Sequence, residues 1–388
     1  ITYWPHHPAL SYFFSGLFVG PTSQAPRIDE ARHDSLYDLE RAFESFERFQ
    51  ASGPQLAGDT DSEGARSDTP PSQLWLIDRL LRNVLVDLSG NTHRAEICID
   101  KLFPGENFSG RLGLVELRAF EMPPGPDEYL AVAVLLRALV AWFARTPYHR
   151  PLIRRGTGLH DRYMLPFFLW NDLQDVLSDL RSAGYGFDAE SHFRSHYDFR
   201  FPVYGQARIG TVDTVELELR QALEAWPVLG ESAAPGGMSR SVDAALERVQ
   251  VFVRGYDPDR QLLCCNGRAV PLQPVDGPDG AGGEHVAGVR FKAWSPPDTL
   301  HPLAPVDSPL VFDLIDRENL RSLGCCRYYV SHPGGRSYEH RPGNAAEAEA
   351  RRVTRFEIGG HTAGQLSELP RVEVDPEYPL TLDLRRRD

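Results

Sequence analysis

Two neighbouring segments with alternating charged residues, at positions 94–100 and 114–118, constrain the fold of this chain most. Successive side chains of a β-strand point to opposite faces, so the charged side chains of each segment share one face. These side chains are Arg94, Glu96 and Asp100 in the first segment and Glu116 and Arg118 in the second. A loop rich in Gly, Asn and Ser separates the segments. The sequence therefore predicts two strands that are joined by a turn.

The charged face of these strands has two interpretations. A solvated surface hairpin carries such charges at little cost, and the charges are then a structural lattice of ion pairs. The residues between the charges are Ile97, Ile99, Val115 and Leu117, however, which indicates that both faces are partly covered. Covered carboxylates need a guanidinium or a metal ion beside them, and such charge clusters concentrate at functional sites. We therefore expect a functional site here, with the structural lattice as the alternative.

The composition restricts the classes of function. A chain of 388 residues with 41% hydrophobic residues is long enough for two or three domains with ordinary cores. A net charge of -13 without a basic run argues against nucleic acid or an anionic membrane as the main partner. The longest apolar run, residues 129–144, is too short to span a bilayer and is expected to form a buried helix.

Cysteines and basic residues give further information. The five cysteines are Cys98 and two adjacent pairs at 264–265 and 325–326, a spacing that indicates small buried thiols rather than metal ligands. Their odd number and the lack of a signal peptide indicate a reducing cytoplasm. All basic residues except Lys101 and Lys292 are arginines. Arginine suits recognition of carboxylates and phosphates, but a genome-wide coding bias is the simpler explanation.

The pattern along the chain predicts an α+β protein of two domains. Residues 1–230 are expected to form the first domain, interrupted by a polar, dispensable insertion at residues 51–73. Residues 231–241, rich in Gly, Ser and Ala, are expected to form a linker. Residues 242–388 contain short apolar segments between turn signals, which is typical of a β-sandwich or an open barrel.

Two more strands are expected in the first domain, at residues 196–203 and 211–223. The second repeats the alternation of acids and bases, at Glu216, Glu218 and Arg220. It is therefore a candidate neighbour of the charged strands in one sheet.

Several motifs carry a resemblance that covers nearly the whole chain. They include His7-Pro-Ala-Leu-Ser-Tyr-Phe-Phe, Gly90-Asn-Thr-His-Arg-Ala-Glu-Ile-Cys-Ile-Asp-Lys, Gly113-Leu-Val-Glu-Leu-Arg-Ala-Phe-Glu-Met-Pro-Pro and Leu159-His-Asp-Arg-Tyr-Met-Leu-Pro. The chain resembles an uncharacterised bacterial family of amidoligases, whose members often carry an N-terminal transglutaminase-like domain. That family is grouped with carboxylate–amine ligases of the glutamine synthetase fold. The resemblance implies a partial antiparallel sheet of that type with helices, followed by the β-rich domain.

The resemblance also implies a site. Glu116 would hold Mg²⁺, with Glu96 as the weaker candidate, while Arg94, Arg118 and Arg27 would face phosphate or carboxylate. A carboxylate does not condense with an amine in water, and ATP would activate it as an acyl phosphate. Such a reaction needs hard oxygen ligands for Mg²⁺ and planar cations beside the transferred phosphoryl group. Arg94 and Arg118 would then bind ATP, and the substrates would be small-molecule or peptide carboxylates and amines.

Two features of the larger ligase group are missing from this sequence, and this limits the prediction. We find neither a Glu-x-Asn strand motif nor a His/Gly-rich loop that ends in Asn-His. The chain is therefore expected to hold the rear portion of the catalytic domain and to need the upstream part of the same polypeptide for activity. Two alternatives remain: a noncatalytic module that binds a peptide or an amino acid, and a metal-dependent hydrolase of amide bonds. Only the ligase would consume ATP.

Overall fold

A computed structural model describes most of the chain, and its described residues form two compact units. The first unit comprises residues 1–122 and 136–155, and the second unit comprises residues 123–135 and 156–388. Arg94 and the insertion expected at residues 51–73 lie outside the described residues. The described ranges are 2–15, 27–30, 96–99, 101–102, 112–210, 214–234, 237–276, 283–295, 302–333 and 338–386, together with Val19 and single positions between residues 37 and 48.

The first unit has short elements around an aromatic core. They are a 3₁₀ turn at Trp4–His6, helix α1 (Ala9–Tyr12), a 3₁₀ turn at Ile28–Glu30, and strands β1 (Ile97–Cys98) and β2 (Glu116–Leu117). Phe13 and Phe14, directly after α1, are buried, and the Phe14 ring stacks on Phe120 with 5.1 Å between centroids. The backbone N–H of Glu121 donates to the carbonyl oxygen of Phe14 at 3.0 Å. These contacts fix α1 against the segment that follows β2.

Helix α2 (Pro126–Arg145) confirms the helix expected in the long apolar run. Its start is typical, because Pro126 fixes a helical φ and two acids follow in the first turn. The expectation that this helix is buried is wrong for one side, where Tyr129, Leu130 and Val140 are exposed. In the described part of the chain, no helix is long and apolar enough to cross a membrane.

Three further helices lie in the second unit: α3 (Pro166–Ser182), α4 (Ala189–Arg200) and α5 (Ala345–Val353). The strand expected at residues 196–203 is wrong for its first part, because residues 196–200 belong to helix α4. The Asp188 carboxylate caps this helix by accepting from the N–H of Ser191 at 2.8 Å. Phe193, His196, Tyr197 and Arg200 are buried, with helical spacing.

The described residues of the second unit form two sheets and a hairpin. The strands of the first sheet are β3 (Val203–Ile209), β4 (Val215–Gln221), β7 (Leu246–Arg254), β10 (Gln273–Val275), β11 (Glu284–Lys292) and β15 (Thr381–Asp383). Those of the second are β8 (Gln261–Cys265), β9 (Arg268–Ala269), β12 (Leu310–Asp316), β13 (Arg321–Tyr328) and β14 (Phe356–Gly359), and the hairpin is β5 (Val228–Ala234) with β6 (Gly237–Val242). The first sheet has the order β10-β11-β7-β4-β3, with β15 parallel to β11, and the second has the order β14-β13-β12-β8-β9.

The two sheets share one hydrophobic core, as the sequence predicts for its β-rich part. Val251 and Val289 of the first sheet pack in the same buried cluster as Leu263 and Phe312 of the second. Asn266 and Gly267 both have positive φ and form the tight turn from β8 to β9. The four cysteines at positions 264–265 and 325–326 are buried free thiols, as expected.

The pairing of β4 differs from the expectation. Its charged residues suggested a neighbour of the strands at 94–100 and 114–118, but β4 pairs with β3 and β7. The apolar face of β4 explains this pairing. Its residues Val215, Leu217 and Leu219 are buried in the core that both sheets share. The chain between β4 and β7 includes residues 231–241, expected as a linker, of which 231–234 lie in β5 and 237–241 in β6. The architecture is α+β, and one sheet of the second unit contains strands from both sides of that stretch.

Candidate functional site

Strands β1 and β2 form the base of the candidate site in the first unit. They are antiparallel, and Ile97 lies opposite Leu117 while Cys98 lies opposite Glu116. The backbone N–H of Arg118 donates to the carbonyl oxygen of Glu96 at 2.8 Å, which extends the ladder by one step. Residues directly opposite each other share a face. The ladder thus places Glu96, Glu116 and Arg118 on one face, as the sequence predicts, although each strand has only two residues.

Glu116 binds two cationic side chains on this face. The Arg118 guanidinium donates from Nη2 to Oε2 of Glu116 at 2.8 Å and from Nε at 3.1 Å. Lys101 Nζ contacts the other carboxylate oxygen, Oε1. The Glu116 side chain keeps 32% of its surface exposed, so a ligand from solvent can reach it.

Glu96 is buried, with 1% of its surface exposed, and its carboxylate is bound from within the unit. The Ser11 hydroxyl donates to Oε2 of Glu96 at 2.5 Å. The same hydroxyl accepts from Nη1 of Arg27 at 2.8 Å. Ser11 therefore connects the carboxylate on β1 with the guanidinium of Arg27.

Arg27 is also buried, with 1% exposed, and all three of its nitrogens have partners inside the protein. Nε and Nη2 donate to the Asp29 carboxylate at 2.9 and 3.3 Å, and Nη2 also donates to the carbonyl oxygen of Trp4 at 3.0 Å. The guanidinium lies 5.5 Å from the Tyr12 ring centroid. Burial opposes the charged form, but Asp29 and Glu96 outweigh it, so the pKa of Arg27 is raised.

The acids beside Arg27 are held by the same small region. Burial raises the pKa of Asp29, although Arg27 opposes this shift. Glu30 accepts the backbone N–H of Arg27 at 2.9 Å and the hydroxyl of Tyr12. Burial, followed by the charge of Glu30, raises the pKa of the Tyr12 hydroxyl. Asp29 and Glu30 thus hold Arg27 and Tyr12 in place.

Comparison with known proteins identifies the chain at the level of its family. A family model described as "putative amidoligase enzyme" matches residues 1–385. The chain belongs to this family. No protein of curated function and no solved structure matches it. The amidoligase family was the one that the motifs at the N-terminus and around β1 and β2 indicated, so that prediction is confirmed.

The candidate site offers few carboxylate oxygens to a cation. Among the described residues, no group of three His, Cys, Asp or Glu side chains is placed to hold a metal ion. Mg²⁺ is commonly bound through one or two carboxylates, with water and substrate phosphates as its other ligands. Glu116, which is accessible, and Glu96, which is buried, fit this donor set. A metal ion at Glu116 would compete with Lys101 and Arg118 for the carboxylate.

The structure brings together some of the residues that were predicted for the site. Glu116 and Arg118 form an ion pair, and Glu96 lies on the same face of the ladder. Arg27 reaches Glu96 through Ser11 and faces a carboxylate, but that carboxylate is Asp29 of the same chain. Arg94 lies outside the described residues. The catalytic, ATP-binding and metal-binding roles of these residues stay predictions.

Sequence reasoning missed Ser11 and the contact of Lys101. Ser11 lies in a short apolar helix, and no spacing in that helix marks its hydroxyl as a bridge between two charged residues. Lys101 had a signal, since it is one of only two lysines in a chain with 41 basic residues. A rare lysine among arginines draws attention to a compact ammonium, which differs from a guanidinium in its hydrogen bonding.

Proposed function

We propose that this amidoligase-family protein is an ATP- and Mg²⁺-dependent carboxylate–amine ligase that forms an amide or peptide bond through an acyl phosphate. The family description supports the general reaction class. The observation that carries the proposal is the charged face of the β1–β2 ladder, on which Glu116 holds both Arg118 and Lys101. Such a face supplies both an oxygen ligand for a cation and planar donors for a phosphoryl group.

The proposed reaction has two steps. An oxygen of the substrate carboxylate attacks the γ-phosphorus of ATP, and ADP leaves, which gives the acyl phosphate. The nitrogen of the amine then attacks the acyl carbon, inorganic phosphate leaves, and the amine loses a proton to a base or to water. The net products are the amide, ADP and phosphate.

Each residue of the charged face has a role in this proposal. Arg118, with Arg94 expected beside it, would offset negative charge on the phosphoryl group during transfer. Mg²⁺ would neutralise charge on the nucleotide phosphates, with Glu116 as its main ligand and Glu96 as the weaker one. Lys101 would exchange between Glu116 and a phosphate oxygen, because its flexible ammonium can follow either partner. Arg27 would hold Glu96 in place through Ser11.

The test is a trapping experiment on the full polypeptide chain. The protein is incubated with ATP, Mg²⁺ and a panel of carboxylates, first with hydroxylamine and then with candidate amines. We expect hydroxamate or amide to form in a 1:1 ratio with ADP, as measured by mass spectrometry, and to disappear with a chelator or a non-hydrolysable ATP analogue. Cleavage of amides without ATP would instead support the hydrolase. Binding of an amino acid or a peptide without nucleotide turnover would support the noncatalytic module.

A further inference from the structure

A cavity in the second unit is lined by no residue of the β1–β2 ladder and has no part in the proposed reaction. Its volume is about 740 Å³, which is the size of a pocket for a small molecule. It forms on one face of the first sheet, between the start of helix α3, strand β10, the first residue of β11 and the segment before β15. Residues that matter for its chemistry are Arg162, Phe167, Phe168, Val275, Glu284 and Leu380.

One wall of the cavity is aromatic and well supported. Phe167 and Phe168 meet edge to face with 5.2 Å between centroids, and Phe167 also stacks on Phe252 of β7 at 5.6 Å. Phe168 belongs to a buried cluster with Leu380. Aromatic rings held in this way bind an apolar group with little loss of side-chain entropy.

Glu284 brings a carboxylate to the cavity. It is the first residue of β11, 6% exposed, and lies opposite Val275 on one side and Arg254 on the other. Its Oε1 accepts from Nε of Arg254 at 2.7 Å. Its Oε2 is buried and has no hydrogen-bond donor among the described residues. A buried carboxylate oxygen without a donor is costly, so a ligand N–H group at this oxygen would be stabilising.

Arg162 adds a positive charge to the cavity. Its side chain lines the cavity, and its guanidinium carbon lies 4.2 Å from the centroid of the Phe168 ring. Within the described ranges, its guanidinium forms no ion pair with a carboxylate, unlike Arg220, Arg248 and Arg290 of the same unit. Its planar donors are therefore available to a carboxylate from solvent.

We propose that this cavity binds a free amino acid with an apolar side chain, in its zwitterionic form. The α-ammonium group donates to the Glu284 carboxylate, the α-carboxylate accepts from the Arg162 guanidinium, and the side chain packs against Phe167 and Phe168. Asp276, which also lines the cavity, adds to the attraction for the ammonium group. This binding needs neither ATP nor Mg²⁺, so it stands or falls independently of the proposed ligase reaction.

The first experiment titrates L-phenylalanine into the full polypeptide chain without nucleotide and with a chelator present, followed by calorimetry. We expect saturable binding of one molecule per chain. Glu284→Gln should weaken it at least tenfold, because the charge-assisted hydrogen bond is lost. Arg162→Gln should weaken it several-fold. The matched controls are Glu190→Gln and Arg194→Gln, from an exposed ion pair on helix α4 outside the cavity, and they should not change the affinity.

The second experiment separates the two charges of the ligand. N-acetyl-L-phenylalanine has no ammonium group and should not bind, whereas L-phenylalaninamide has no carboxylate and should bind more weakly than L-phenylalanine. Arg162→Gln should not weaken binding of the amide further. Absence of saturable binding at millimolar L-phenylalanine, equal binding of the N-acetyl compound, or unchanged affinity of Glu284→Gln would each overturn the proposal.

A folding control accompanies both experiments. Circular dichroism and thermal unfolding establish that each variant is native before its affinity is used. Should Glu284→Gln not fold, Phe167→Ala replaces it, and we expect it to reduce the affinity for L-phenylalanine at least tenfold. Unchanged affinity of a folded Phe167→Ala variant would then contradict the proposal.

Discussion

At the scale of single residues, Arg27 and Arg118 show two uses of the same side chain. Arg27 is almost fully buried, and its donors are taken by Asp29, Ser11 and a backbone carbonyl. Arg118 is paired with Glu116, and both side chains keep part of their surface exposed. A buried guanidinium with internal partners stabilises local structure, whereas an exposed pair remains available to a ligand. We therefore expect opposite consequences when these two residues are changed.

Arg27→Met should destabilise the protein, although the side chain that it replaces is buried and not on the surface. Removing one partner leaves the Asp29 carboxylate buried without its cation, which costs roughly 3–5 kcal/mol in free energy of unfolding. Urea denaturation measures this loss. The double variant Arg27→Met/Asp29→Leu should recover most of it. Arg208→Met is the matched control, because it breaks an exposed pair with Glu216 and should cost less than about 1 kcal/mol. A cost for Arg27→Met as small as that of the control would contradict this role.

Arg118→Lys should retain the fold and reduce the proposed turnover of ATP. Lysine keeps the charge but cannot donate from two nitrogens in a plane, so we expect turnover of ATP to fall roughly tenfold to a thousandfold. The measurement is ADP release with saturating substrates, with circular dichroism as the check on folding. Arg208→Lys should leave the rate unchanged. Equal rates for Arg118→Lys and the wild-type protein would remove the guanidinium from the mechanism.

The sequence predicted which charged side chains share a face of the β1–β2 ladder, but it did not predict the contacts around them. Alternation alone placed Glu116 and Arg118 together, since they are two residues apart, at β2 and directly after it. The link from Glu96 through Ser11 to Arg27 joins three segments that are far apart in the sequence. No local pattern encodes such a link, because it depends on tertiary packing that brings α1 beside β1.

At the scale of elements, the same alternation of charged residues has different outcomes in β2 and in β4. Strand β2 has two residues and one partner, β1. Strand β4 has seven residues and lies inside the first sheet, because its apolar face fills the shared core. Apolar burial therefore decides the sheet to which a strand belongs. The charge pattern shows only which face of the strand is polar.

The sequence of helix α4 contains both helix and strand signals. Its residues 196–201 read His-Tyr-Asp-Phe-Arg-Phe, which alternates in places like a strand. The capping residue Asp188 and the buried residues at helical spacing were also present in the sequence. The start signal of the helix was the better predictor, because a cap satisfies specific backbone donors whereas a short alternation is ambiguous.

A buried ion network connects the central strands β7 and β11. Glu224 accepts from Nε of Arg248 on β7 at 2.9 Å and from Nε of Arg290 on β11 at 3.0 Å. Burial would raise the pKa of Glu224, but the two guanidinium groups outweigh it and lower the pKa below its ordinary value of 4.5. The folded state therefore favours the charged carboxylate. Its contribution to stability is present above pH 4.5 and is lost as the pH falls through the lowered pKa.

Glu224→Gln tests this network through the pH dependence of stability. At pH 7 the variant should lose roughly 3–5 kcal/mol in free energy of unfolding, since buried Arg248 loses its carboxylate partner and Arg290 keeps only Asp383. Below pH 4.5 the difference from the wild-type protein should shrink, because this carboxylate takes up a proton in the unfolded chain at a higher pH than in the folded protein. Urea denaturation at several pH values between 7 and 3 measures both effects. A difference that stays constant across this range would contradict the lowered pKa.

At the scale of the whole molecule, the division of the chain differs from the predicted one. The compositional change at residues 231–241 suggested a linker, yet β4 before it and β7 after it are neighbours in one sheet. Small and polar residues mark turns as readily as linkers, so composition does not tell a surface hairpin from a boundary. Long-range strand pairing decides this question, and it is not visible in a single sequence.

A truncation experiment follows from this pairing. Residues 242–388 alone should not fold, because β7 would lose β4 as a partner and the shared core would lose Val215, Leu217 and Leu219. Residues 123–388, which include the complete second unit, should fold. The dispersion of amide resonances in NMR spectra distinguishes the two outcomes. A well-dispersed spectrum for residues 242–388 would contradict the single-core description of the two sheets.

The partly exposed carboxylate of Glu116 on β2 is proposed to serve nucleotide chemistry. The most direct measurement is Mg²⁺-dependent ATP turnover by the full polypeptide chain with Glu116→Gln, beside the matched control Glu216→Gln from another strand-borne ion pair. We expect turnover to be abolished in Glu116→Gln, with unchanged circular dichroism and thermal unfolding, and to be retained in Glu216→Gln. Turnover at the wild-type rate in a folded Glu116→Gln variant would contradict the claim.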